Sequence, residues 1–192
     1  MASSVLYDAV AHDQYCITAV RGLSETEGLS RLGVVEQGPY PLYTLREALQ
    51  GHGFGALAVR VCRSEGWLFL LDVDPQGITF QAPVLRRLSA DTEAVSAWHL
   101  LDGTTRIAHA RDGDVLATFD AWLFEPAGGT DPARLNRALE ESGFFLEENE
   151  ESDEWNIPEM ALLAIEREFG LVLPPGLANE PLPTVSVPKT AV

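Results

Sequence analysis

Val95–Asp120, VSAWHLLDGTTRIAHARDGDVLATFD, decides the fold. Apolar and polar residues alternate along it, and two Asp-Gly pairs, Asp102-Gly103 and Asp112-Gly113, punctuate it. Asp-Gly is favoured where a two-residue hairpin turn needs positive φ at both central positions. The stretch therefore reads as three antiparallel strands. With two-residue turns throughout, His99 faces Arg106 and Arg106 faces Phe119, and one sheet face carries Ala97, His99, Leu101, Arg106, Ala108, Ala110, Val115, Ala117 and Phe119 together. The small alanines predict that a helix packs closely on that face.

Working outward, Tyr15–Arg21 (YCITAVR) reads as a first strand, after a short helix within 3–12. Ser24 and Glu27, then Thr44 and Glu47, have the spacing of capping boxes and start two further helices. Leu57–Cys62 and Trp67–Asp72 form a hairpin, with Arg63–Gly66 as a four-residue connection. Pro83–Leu88 reads as a short helix, and Asp131-Pro132 reads as the N-cap and first turn of a helix that ends at Gly143. The fold class is α+β: a twisted antiparallel sheet of about six strands with helices mainly on one face, plus a C-terminal helix. Residues 1–143 form the α+β domain, 144–157 an acidic linker, 158–170 the C-terminal helix, and 171–192 a proline-rich tail expected to be largely disordered. The helix has Leu162, Ile165 and Phe169 on one stripe, which must be buried in cis or against a partner.

Composition narrows the functional classes. The net charge of −16 is concentrated toward the C-terminus: from residue 140 on there are 12 acids, opposed only by Arg167 and Lys189. Such a field repels phosphate backbones and anionic lipid while drawing in basic partners. Nucleic acid and membrane are thus disfavoured, and a protein partner with a basic surface is favoured. MASSVLYDAV lacks the basic and continuous apolar regions of a leader, and no run of about 18 apolar residues occurs, so a cytoplasmic location is expected. Cys16 and Cys62 lie within apolar strands and read as reduced, buried thiols.

Neither G-x-S-x-G nor S-x-x-K occurs, and the single lysine, Lys189, lies in the tail. His12, His52, His99 and His109 are too scattered for a zinc site. Gly51–Gly55 resembles a phosphate loop, but a helix precedes it and a strand follows, the reverse of the order that aims helix amides at an anion. Asp72-Val73-Asp74-Pro75-Gln76-Gly77 begins like a calcium loop, yet Pro83 stands where the bidentate glutamate belongs, so a side-chain-capped turn is expected. No cofactor and no metal is expected.

Tyr15–Gly33, Trp67–Gly77, Leu88-Ser89 and Arg106–Asp120, the last with Ala110, Asp112, Gly113, Phe119 and Asp120, resemble a family of small, acidic, mainly actinobacterial proteins of unknown function. The likeness covers roughly residues 13–142, and Asp72 and Gly77 match its acidic residue and glycine turn after the Trp strand. It implies a shared fold and assigns no catalytic residue.

These features together predict a non-enzymatic protein-interaction module, most concretely an immunity-type inhibitor of a basic toxin or effector. Glu147, Glu148, Glu150, Glu151, Asp153 and Glu154 would steer the partner and Trp155 would anchor it. One alternative is a small-molecule binder or hydrolytic enzyme with a cleft near Asp72, Asp74, His99 and Arg106. Another is a regulatory or scaffolding subunit that docks through the C-terminal helix.

Overall fold

The computed structural model describes residues 3–10, 13–53, 55–123, 125–126, 128–145 and 156–191. Its strands are β1 (Tyr15–Arg21), β2 (Leu42–Tyr43), β3 (Ala58–Ser64), β4 (Trp67–Asp72), β5 (Glu93–His99), β6 (Thr105–Arg111), β7 (Asp114–Asp120), β8 (Glu125–Pro126) and β9 (Leu182–Ser186). The helices are α1 (Val5–Ala9), α2 (Glu25–Arg31), α3 (Leu45–His52), α4 (Ala82–Leu88), α5 (Asn136–Glu141) and α6 (Ile157–Phe169). All pairings are antiparallel, in the order β2-β9-β3-β4-β1-β5-β6-β7-β8. The α+β class is as expected, but among the described residues the sheet has nine strands rather than about six, two of them only two residues long.

Turn chemistry sets the register. Asp112 and Gly113 take φ of 51° and 83°, making the two-residue turn their sequence requires, and Glu65-Gly66 does the same with 47° and 82°. The β3–β4 connection is therefore two residues, not four. At Asp102-Gly103 the loop has three residues: Leu100 N–H donates to Thr104 O (2.9 Å), and of Leu101, Asp102 and Gly103 only Gly103 has positive φ. One extra loop residue slips the register by one, so Trp98, not His99, faces Arg106. A bulge between His109 and Ala110 moves the pairing again, and Arg106 faces Asp120 rather than Phe119.

These shifts separate residues expected to share a face. Ala97, Ala117 and Phe119 pack under α1, α5 and α6, joined there by Ile107, expected on the opposite face, whereas Ala108, Ala110 and Val115 pack under α2 and α4. Helices thus cover both faces rather than mainly one, which is why β1 and β4 are buried almost along their whole length. Both capping boxes form: Ser24 Oγ accepts from Glu27 N–H (3.2 Å) while the Glu27 carboxylate accepts from Ser24 N–H (3.0 Å), and Thr44 and Glu47 do likewise. α5 begins at Asn136, later than Asp131-Pro132 suggests: between them the chain makes i→i−3 turns, with Arg134 N–H donating to Asp131 O (3.1 Å) and Asn136 N–H to Ala133 O (3.0 Å).

The C-terminal segment is not the tail expected. α6 buries Leu162, Ile165 and Phe169 against the sheet, α1 and α5, so its stripe is covered in cis. β9 then inserts between β2 and β3. Prolines do not prevent this, because Thr184, Val185 and Ser186 pair with β3 while Pro183 faces only two-residue β2. No helix among the described residues is long and apolar enough to cross a membrane.

Candidate functional site

β1 and β6 begin, and β4, β5 and β7 end, along one margin of the sheet. Asp72 closes β4 there, and its two oxygens accept from Ile78 N–H (2.7 Å) and the Thr79 hydroxyl (2.8 Å), with Cys16 Sγ 3.4 Å from Thr79 Oγ. Burial lifts the Asp72 carboxyl to about 7, although these hydrogen bonds favour the anion, and burial also raises the Cys16 thiol well above its usual range. The Asp74 carboxylate accepts from Gly55 N–H and Gln76 Nε2. The loop is the carboxylate-capped turn its sequence suggests, and no cluster of three metal-ligating side chains occurs among the described residues. Gly77, at φ of 72°, lies where a Cβ would come within 2.9 Å of the Trp98 ring. Trp98 is fixed by Phe80 (ring centroids 5.7 Å apart) and by its Nε1–H donating to Pro75 O (2.8 Å).

The four residues of the expected cleft do not converge. Cys16 lies opposite Trp98, Trp98 opposite Arg106, and Arg106 opposite Asp120, forming one row across the face that also holds Asp72. Asp72 and Arg106 are three strand spacings apart, roughly 14 Å, with Cys16 and Trp98 between them. Arg106 donates from Nε to Asp120 Oδ2 (2.8 Å) and lies 5.8 Å above the Trp98 ring. His99 points to the other face, where Nδ1 is 2.9 Å from Thr105 Oγ and its ring lies 5.7 Å from Tyr15; burial lowers its pKa.

Two features of this margin escape the sequence reading. One is a cleft of 80 Å³ whose lining includes Val10, Tyr15, Leu49, Arg60, Leu71 and Asp72. Arg60 donates to the backbone oxygens of Tyr43 (3.2 Å), Leu177 (2.9 Å) and Glu180 (2.5 Å). Three acceptors far apart in sequence hold it, so only the assembled β2-β9-β3 edge reveals its role. The other is an exposed apolar tip. The β5–β6 loop carrying Leu101 meets the residues after β7 where Ala121 N–H donates to Thr105 O (2.9 Å), and Trp122 and Leu123 follow directly. Trp122 is 82% exposed, Leu101 73% and Leu123 58%.

Glu147, Glu148, Glu150, Glu151, Asp153, Glu154 and Trp155, expected to bind a partner, lie outside the described residues. No curated protein and no solved structure matches this chain. The family model described as Family of unknown function (DUF6461) matches residues 3–172, nearly the whole chain and more than the stretches whose likeness is legible by eye. The chain therefore belongs to the family of unknown function DUF6461.

Proposed function

We propose that this protein is a non-enzymatic interaction module that covers a basic surface of a protein partner, most concretely as an immunity-type inhibitor of a toxin or effector. The observation that carries this reading is the Leu101–Trp122–Leu123 tip. Exposed large apolar side chains are ordinary when scattered, but here three emerge together at one end of a well-packed sheet. Tryptophan and arginine dominate binding energies at interfaces, and Arg106 lies at the same margin. Asp102 and Asp120 flank the tip within a molecule of net charge −16, which favours encounter with a basic partner. The acids between residues 147 and 154 would extend that field.

The test is co-expression with each basic toxin encoded beside the gene, followed by direct titration of the purified pair. Rescue of growth is expected, with affinity that weakens steeply as salt rises. Trp122→Ala should weaken binding by about 30-fold or more, equivalent to about 2 kcal/mol for an interface anchor, and leave the thermal midpoint unchanged. Failure of the unmodified protein to rescue or bind any neighbouring toxin overturns the inhibitor reading. Undiminished binding by Trp122→Ala removes the tip from it.

A further inference from the structure

Arg60 lies opposite Thr184 at the end of the β3 pairing with β9 and is only 2% exposed. Removing a guanidinium from water is costly unless an anion or a full set of hydrogen bonds compensates. Its three acceptors are all neutral carbonyls, and among the described residues no carboxylate lies within ion-pair distance of it. Nε and Nη2 make these bonds and Nη1 takes part in none of them. Burial draws the pKa down to about 10, so the group remains a cation at neutral pH. The sheet thus holds one uncompensated positive charge at the wall of a cleft, inside a strongly acidic protein.

The rest of the cleft indicates what would compensate it. Ala9, Val10, Leu45, Leu49, Leu71 and Val73 supply a largely apolar wall. Asp72 also lines it, but both its oxygens are already committed to Ile78 and Thr79. A cavity of about 150 Å³ holds benzene, so the 80 Å³ here suits a shorter chain. A phosphate ester would bring a second charge and more polar surface than a single arginine and an aliphatic wall can match.

We propose that this cleft binds a short aliphatic carboxylate, of acetate to propionate size, with its anionic head on Arg60 and its alkyl chain against Val10, Leu49 and Leu71. The site is independent of the Trp122 tip, and binding there stabilises the fold by mass action.

Sodium acetate and sodium propionate are titrated into the intact protein and followed by thermal midpoint and by calorimetry, with sodium chloride and 1-propanol as controls. A saturable rise with at least one carboxylate, absent with both controls, is expected. Arg60→Met should abolish it. Because that variant can itself lose stability, Leu49→Trp provides a second arm: it fills the cleft from half-exposed α3, leaves the three Arg60 bonds in place, and should weaken binding at least tenfold. No saturable response to any carboxylate overturns the proposal, as does an equal response to chloride or undiminished binding by Leu49→Trp.

Discussion

His109 Nε2 lies 3.0 Å from Glu93 Oε1 beneath α6, while its Nδ1 is buried and makes no hydrogen bond among the described residues. The glutamate fixes the proton of the neutral ring on Nε2, leaving Nδ1 as a bare acceptor near Phe169, whose ring centroid is 4.8 Å away. Protonation would place an unmatched N–H in the core. Burial therefore holds the pKa below its ordinary 6.5, against the opposing pull of Glu93. Because the folded pKa is the lower one, the contribution is complete above about pH 6.5 and is lost as pH falls below it. Urea midpoints measured across this range should decline on acidification, and His109→Gln should remove that part of the slope. Parallel curves for the two proteins would refute the assignment.

Asp72 acts in the opposite sense. Its carboxyl is lifted from 3.8 to about 7, so the unstrained contribution is present below about pH 4 and disappears as pH rises through 7. The cost of ionising it in place is a few kcal/mol, at ~1.4 kcal/mol per pH unit. Asp72→Asn keeps an oxygen for Ile78 N–H and presents its amide to Thr79, whose hydroxyl can turn to accept. The variant should match or exceed the parent in stability at pH 8 and lose that advantage at pH 5. A variant less stable by the same margin at both values would show that Asp72 is ionised throughout.

Gly28 is where α2 rests on β4: a Cβ built there would lie 2.1 Å from Leu68 Cδ2. Alanine in a helix interior gains about 1 kcal/mol over glycine, but Leu68 is fully buried, and overpacking costs about 1–3 kcal/mol. Gly28→Ala should therefore destabilise, and pairing it with Leu68→Val should recover much of the loss, as a double-mutant cycle would measure. An additive pair would mean that the helix simply lifts away.

Phe169 packs edge-on against Trp67 (6.3 Å between centroids) and lies 5.9 Å below the Arg134 guanidinium. Phe169→Ala should cost about 3–5 kcal/mol. Deleting residues 157–192 would expose the α1 and α5 side of the sheet and remove β9, so the remainder should fail to unfold cooperatively in calorimetry. A cooperative transition in the truncated protein would restore the smaller domain suggested by the sequence.

What could be read in advance was whatever local chemistry specifies. Asp112-Gly113, Ser24 with Glu27, and Thr44 with Glu47 each determine their geometry within four residues, and each formed as expected. Asp102-Gly103 misled because a three-residue loop also needs glycine at its last position, and a one-residue slip moves every side chain beyond it to the other face. His99 and Arg106 were thereby given a shared face that they lack. Arg60 resembles any polar residue on an alternating strand, and its significance depends on Tyr43, Leu177 and Glu180, brought to it by elements that pair only in the assembled sheet. The prolines around β9 conceal a strand because a ladder needs N–H groups only where pairing occurs.

The position of β1 between β4 and β5 has a kinetic consequence. The β3–β4 pair and the β5–β6–β7 meander close through short loops and can form from local encounters, but Ile17 meets its neighbours Leu71 and Ala97 only after long chain segments have been restrained. That entropy is spent before the central contacts repay it, so the docking of this strand is the slow, late event that joins two early halves. Substitutions in the meander, whose contacts are already made when β1 docks, should then slow refolding and leave the unfolding rate nearly unchanged, while those along β1 also speed unfolding.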